Sequence, residues 1–350
     1  MTRSNAPEAL LVLPHLRVQN ANAISSPLTH GFPSITAFTG LMWALQRKLV
    51  AADIPVKLDA VGVICHHHEE QVTEGYVKTF RLTRNPLDGN GKPAAIAEEG
   101  RMHLDVTLTF LATPHASKCV SASWPINDDA QFAEWAAQIG EMVARMRIAG
   151  GSVLPTGPIP GRRTRPWMTL LPEDYDEHAR AFARWRRQWL PGYALVGRDD
   201  LLADRLRTLT SEQPGATLLD AWLLAARFNH QPVSDGDTRE TPGNRLQWAD
   251  PARQKGGGWT VPIPVGFAAL REPLPAGSVA NARDASTPFV FVESVYSFGE
   301  WISPHRLSSV HELMWRAEND LATGLYRCRS GYRPNNSAAS HADIDMLEFD

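Results

Sequence analysis

Cysteine is scarce in this chain. Cys65, Cys119 and Cys328 are the only three in 350 residues; they form no CxxC pair and are odd in number. That excludes a disulfide framework and a zinc knuckle, and it points to a reducing, cytosolic location. Long apolar runs are missing as well. No stretch approaches the ~18 residues of a membrane span, and the opening apolar run is broken by Pro14 and His15, too early for a secretory signal. Neither sign of charge dominates: 35 Lys and Arg against 38 Asp and Glu leave a formal charge of -3. This argues against bulk electrostatic attachment to nucleic acid while leaving room for a local basic patch. There is no internal repeat, no GxxxxGK[ST] loop, no GxSxG elbow and no HExxH pair. Nucleotide hydrolysis, elbow-type serine chemistry and zincin chemistry therefore have no motif to rest on, although a triad assembled from distant segments stays open.

What is present is enough apolar material for a sizeable core: 43% hydrophobic and 21% charged residues exclude a wholly disordered chain, and the length allows about two domains. From Leu10 the pattern alternates as a strand, with Leu10, Val12, Pro14, Leu16 and Val18 on one face. Ser34 is placed to cap a helix whose stripe is Ile35, Phe38, Leu41, Met42, Leu45 and Leu49. "DAVGVICH" and "YVKTFRLTRNP" read as strands, "LDGNGKPA" as a turn, and "RMHLDVTLTFL" as a strand with His103, Asp105, Thr107 and Thr109 facing away from Leu104, Val106, Leu108 and Phe110. A helix begins at Asp128 or Asp129, its stripe being Phe132, Trp135, Ile139, Met142, Val143 and Met146, and "AGGSVLP" supplies a further strand. This order predicts an α+β fold on the ferredoxin-like βαββαβ plan. Residues 1–160 are expected to form that domain and 161–235 an inserted helical, Arg/Trp-rich module. Residues 236–333 are expected to be a strand-containing region completing the fold, and 334–350 a mobile tail.

Several clusters invite chemistry. In "CHHHEEQ" strand alternation lets His66 and His68, but not His67, share a metal, yet no second ligand pattern supports a site, and a structural or exposed role is expected. The carboxylate pairs Glu98–Glu99 and Asp199–Asp200 read as solvated faces. The opening loop carries Asn20, Asn22, Ser25, Ser26 and Thr29 ahead of the Ser34-capped helix. It is either an Asx-rich turn plus a cap or, through its amides and the helix dipole, a seat for an anion such as an RNA phosphate. Arg162, Arg163, Arg165, Arg180, Arg184, Arg186 and Arg187 stand beside Trp167, Trp185 and Trp189. That combination holds phosphates and stacks unpaired bases, or leaves the tryptophans to the core and an arginine face free. Gly150 and Gly151 end a helix and also let another backbone approach closely.

In "LPHLRVQNANAISSPLTHGFPSITAFTGLMWALQRKL", "FRLTRNPL", "AAIAEEGRMHLDVTL", "RMRIAGGSVLP", "LPGYALVGR", "VPIPVGFAAL", "NARDASTPFVFVES" and "GEWISPHR" the chain resembles the Csy-two family. The resemblance runs in order from about Leu13 to Arg306. It implies a ferredoxin-like, RRM-like RAMP domain and a non-catalytic subunit of the type I-F CRISPR surveillance complex that grips the 5′ handle of the guide RNA. It implies a heterodimer with the large type I-F subunit, contact with the first backbone filament subunit, and access to target double-stranded DNA through the assembled complex. No membrane, metal or cofactor is implied. The RNA-binding residues carried over are Arg17, Gln19, Asn20, Asn22, Ser25, Ser26, Arg81, Arg84, Asn85, Gly150, Gly151, Ser152, His305 and Arg306. Two other readings stay open: a metal-independent endoribonuclease that processes precursor guide RNA with His15, His30 or His305 as base, and a metal hydrolase using His66 and His68.

Overall fold

Both faces of the first strand are apolar, and the fold follows from covering both. β1 (Ala9–Asn22) carries Leu10 and Val12 on one side and Leu11 and Leu13 on the other, all fully buried. It is followed by α1 (Ile35–Ala51), β2 (Val56–Glu70), β3 (Arg101–Pro114), α2 (Asp129–Ala144) and β4 (Gly151–Leu154). The computed structural model describes residues 6–76, 78–81, 87, 90–92, 100–115, 124, 129–227, 229, 231–232, 248–250, 258–282 and 284–334. Arg84 and Asn85 of the expected site, Glu98, Glu99, Cys119 and the tail from 335 onward lie outside the described residues.

In space these four strands lie in the order β4-β1-β3-β2, each neighbouring pair antiparallel. The two helices cover one face. Ile35, Phe38, Leu41, Met42, Leu45 and Leu49 of α1 and Phe132, Trp135, Ile139 and Val143 of α2 are buried against Leu11, Leu13, Val61, Val63, Leu108 and Phe110. Ser34 caps α1 as its spacing predicts, its hydroxyl accepting from the Thr36 amide at 3.2 Å and reaching the Pro264 carbonyl at 3.0 Å.

The second half of the chain extends the sheet and covers its other face. β5 (Trp167–Leu170) pairs with the start of β1. After α3 (Tyr175–Trp185) come β6 (Tyr193–Gly197), α4 (Asp199–Glu212), α5 (Leu218–Ala226), β7 (Trp259–Ala269), β8 (Val292–Ile302), β9 (Trp315–Asp320) and β10 (Leu325–Ser330). One eleven-stranded antiparallel sheet runs β6-β8-β7-β10-β9-β2-β3-β1-β4, with Arg147–Ile148 beyond β4 and β5 as a branch on β1. Because β6 also pairs with β2, at Tyr193↔Cys65 and Ala194↔Ile64, six of these strands close into a ring. Leu10, Val12, Ala60, Ile64 and Leu111 are packed under Trp167, Phe182, Trp189 and the segment 307–314. The face opposite α1 and α2 is thus covered over much of its length, and at the β1 end only Arg17, Gln19, Asn20 and Asn22 are left exposed.

Candidate nucleic-acid interface

The exposed end of β1 is built from two bulges. Between Leu13↔Leu108 and Leu16↔Val106 the residues Pro14 and His15 oppose Thr107 alone, and between Val18↔Leu104 and Ala21↔Met102 the residues Gln19 and Asn20 oppose His103 alone. Two-against-one pairing of this kind bends a strand and re-aims its side chains. The second residue of each bulge has positive φ, 49° at His15 and 58° at Asn20, a region that costs most side chains energy and that Asn tolerates best. Each of these residues donates its backbone N–H to the single residue opposite: His15 to the Thr107 hydroxyl and Asn20 to His103 Nδ1, both at 3.2 Å.

β4 lies directly against this bend, with Arg17↔Leu154, Val18↔Val153 and Gln19↔Ser152 in register. A Cβ on Gly151 would sit 2.7 Å from the Ala21 amide and the Gln19 carbonyl, so glycine is needed for the approach, and Gly150 turns at φ 78°. Arg17, Gln19, Asn20, Asn22, Gly150, Gly151 and Ser152 are brought together here. Ser25 and Ser26 follow in the adjoining loop, where their hydroxyls are already engaged. Ser25 accepts from the Ser34 amide at 3.0 Å, Ser26 shares a hydrogen bond with Thr29 at 2.7 Å, and Asn22 closes an Asx turn on Ile24. The α1 start is internally capped, so an anion would find the amides of Ser34 and Thr36 occupied.

A buried histidine pair lies behind the first bulge. His15 is 2% exposed, its Nδ1 lies 3.1 Å from Asp105, and its ring stacks on His66 with centroids 4.1 Å apart. His66 is itself a bulge residue, the extra one between Cys65↔Val106 and His67↔Asp105. Its Nδ1 lies 2.8 Å from the Pro191 carbonyl, which can only accept, so Nδ1 carries the proton. Its Nε2, 2.8 Å from the Thr107 hydroxyl, then accepts from that hydroxyl. Burial is the largest influence on His66 and holds its pKa below the ordinary value, as a neutral ring requires. The bulge breaks the strict alternation expected for "CHHHEEQ" and takes His66 inward, while His67 and His68 stay exposed. No group of three or more His, Cys, Asp or Glu among the described residues is placed to hold a metal ion.

Next to this cluster a cavity of about 660 Å³ opens between the loop Leu28–Pro33 and strands β2, β6, β7 and β8. Phe32 and Trp301 (centroids 4.8 Å apart) and Tyr193 and Trp259 (5.8 Å) form its aromatic walls, with His30 and His68 as polar edges. Among the described residues no Lys or Arg lines it. Sequence reasoning missed these aromatics: Tyr193, Trp259 and Trp301 stand at strand ends and Phe32 in the loop before α1, positions that carry no periodic signal.

Other expected residues lie elsewhere. Arg81 hydrogen bonds Gln71 at 3.2 Å beside a short hairpin, Val72–Thr73 with Thr79–Phe80. His305 and Arg306 sit on a one-turn 3₁₀ helix against Arg186, whose guanidinium donates to the carbonyls of His305 and Leu307. On α3 and the turn after it, Arg180, Arg184 and Arg187 are exposed while Trp189 is core, as expected if the tryptophans pack inward. Arg163 lies over Trp167 at 5.0 Å. Asp199 and Asp200 do not form the solvated face expected of them. Asp199 takes Arg327, which is 6% exposed, and the Ser297 hydroxyl, whereas Asp200 and the buried Glu300 bind Arg198. Burial disfavours the Arg198 charge, but these two carboxylates more than offset it and raise its pKa.

The family model described as CRISPR-associated protein (Cas_Csy2) matches residues 11–328. The chain belongs to the Csy2 family. The CRISPR-associated protein Csy2 of Pseudomonas aeruginosa (strain UCBPP-PA14) is 43% identical over 328 residues, covering 92% of this chain and 95% of that protein. The span matched to the Csy2 family includes every site residue carried over from the resemblance, Arg17 to Arg306, and both bulges of β1. No helix among the described residues is long and apolar enough to cross a membrane.

Proposed function

We propose that this Csy2-family chain is a non-catalytic RNA-binding subunit of the type I-F CRISPR surveillance complex, acting in the cytoplasm, that caps the 5′ handle of the guide RNA. In this role it pairs with the large type I-F subunit, meets the first backbone filament subunit, and reaches target DNA only through the assembled particle. The observation that carries the proposal is the convergence of Arg17, Gln19, Asn20 and Asn22 with Gly151 and Ser152 at one bent, exposed strand end. Arginine and amide side chains there suit phosphate and base-edge contacts, and the aromatic cavity beside the loop suits a stacked, unpaired base better than a phosphate. The strand order β4-β1-β3-β2 with both helices on one face supports the ferredoxin-like RAMP plan for 1–160, with 161–235 as its inserted module and 236–333 completing the fold.

The test is binding of single-stranded handle RNA by the purified chain. Replacing Arg17 and Gln19 with Ala should weaken binding and, with one fewer phosphate neutralised, reduce the slope of log affinity against log salt by about 0.7; unchanged affinity and slope would reject this surface. His15 bound to Asp105 is a feature that favours an endoribonuclease, but at 2% exposure it has no access to an RNA hydroxyl. Incubation with precursor RNA should leave it intact without metal, and cleavage would overturn the non-catalytic assignment.

A further inference from the structure

His103, Asp105 and Thr107 follow one another at every second position of β3, so their side chains share a face. Thr107 and His103 stand opposite the two bulges of β1, and Asp105, paired with Arg17 between them, turns its side chain to His15. Thr107 receives the N–H of His15, His103 receives the N–H of Asn20, and Asp105 holds the His15 ring between them. Without such acceptors each bulge would leave a backbone donor unpaired at a residue already in the left-handed region, at a double cost. The row therefore sets where β1 bends, and with it the direction in which Arg17, Gln19, Asn20 and Asn22 point.

One of these contacts, and the hydrogen bond from Thr107 to His66 that backs another, exist in only one protonation state. His103 Nδ1 accepts from a backbone N–H and so carries no hydrogen. Thr107 accepts from the His15 amide and donates to His66 Nε2. A proton on that nitrogen would turn it into a second donor to the hydroxyl oxygen, and the hydroxyl hydrogen would lose its acceptor in a site where Thr107 is 1% exposed. The charged or titratable groups around His66 are His15 on β1, Asp105 on β3, Cys65 on β2 and Arg162 in the segment after β4. His103 is opposed by Glu69 of β2 and by Gln19 and Asn20 of β1.

We infer that the row His103–Asp105–Thr107, backed by His66, is a positioning device for the exposed end of β1, and that it holds only while His103 and His66 are unprotonated. This deepens the RNA-binding proposal and rests on it for its functional consequence: acidification should weaken RNA binding. The sign is diagnostic, because a general gain of positive charge would strengthen binding to RNA instead.

The experiment measures hydrogen exchange of amides 15–22 in the full chain at pH 7.5 and 5.5, corrected for intrinsic rates, in parallel with polarisation binding of single-stranded handle RNA. The wild type should lose about three- to tenfold protection at Asn20 on acidification, the scale of one net hydrogen bond. His103→Gln, whose amide oxygen accepts at any pH, should keep that protection at both values, and Thr107→Ser, which retains the hydroxyl, should behave as wild type. Protection that ignores pH in the wild type, or that falls equally in His103→Gln, overturns the inference. If RNA binds while exchange is flat, the device fails and RNA binding stands. If exchange responds as described but no RNA binds at either pH, the device stands and the RNA proposal fails.

Discussion

Single residues carry the close contacts at the bent strand. A methyl group on Gly151 has two backbone atoms of β1 at 2.7 Å to displace, and neither can move without disturbing the bulge. Gly151→Ala should therefore cost about 1–3 kcal/mol in denaturant unfolding and weaken handle binding, whereas Gly157→Ala, with nothing within 4 Å, should leave both unchanged. Cys65 is buried, and its thiol is pushed up to about 12 by burial first and by Asp105 second. It should resist alkylation at pH 8 in the native chain and react once the chain is unfolded, as site-resolved mass spectrometry would record. The close backbone approach at Gly151 was legible in the paired glycines of "AGGSVLP". The inward turn of His66 was not, because a one-residue bulge leaves no mark on strand periodicity and reverses which side chain faces in.

At the scale of elements, the helices with a strong apolar stripe and a capping residue were readable, and α1 is the clearest. Its cap also joins two halves of the chain, since the Ser34 hydroxyl reaches Pro264 of β7 as well as its own first turn. Ser34→Ala should then cost about 2 kcal/mol, at the upper end for a capping residue, read as a lower denaturant midpoint with unchanged slope. α4 escaped notice because its stripe is short, with only Leu202 and Leu209 buried, and because its first turn looks like surface charge. Asp199 is instead held by Arg327 of β10, a pairing between distant segments that no local pattern announces, and Asp200 by Arg198 at the helix start. Similarly, Gln231–Pro232 pairs with Trp248–Ala249, two-residue strands too short for alternation to show.

For the whole molecule, the decisive charges are the buried ones. Glu300 is 3% exposed and answers Arg198 and, at 3.9 Å, Arg306. Glu300→Ala leaves Arg198 with Asp200 alone and should cost about 3–5 kcal/mol. Asp204→Ala removes a bridge to Arg207 in which both side chains are 57% exposed, and should change stability by roughly 0–1 kcal/mol. Chemical denaturation of the two variants side by side checks the contrast. Stability should also depend on pH through His66. Its folded pKa lies below the unfolded value, burial being the main cause, so the contribution is complete above ~6.5 and is lost as pH falls from there toward the folded value. Unfolding midpoints between pH 8 and 5 should show that decline in the wild type and less of it in His66→Gln.

The ring of strands has a consequence for how the chain comes off the ribosome. β2 is complete by residue 70, yet the strands that cover its second edge, β6 and β9, begin only at Tyr193 and Trp315. Until then an apolar strand waits with open hydrogen-bonding groups, the condition under which nascent proteins stick to one another. Nascent fragments stalled short of residue 193 should accordingly bind chaperones and aggregate, and release from both should come in two steps as first β6 and then β9 emerges.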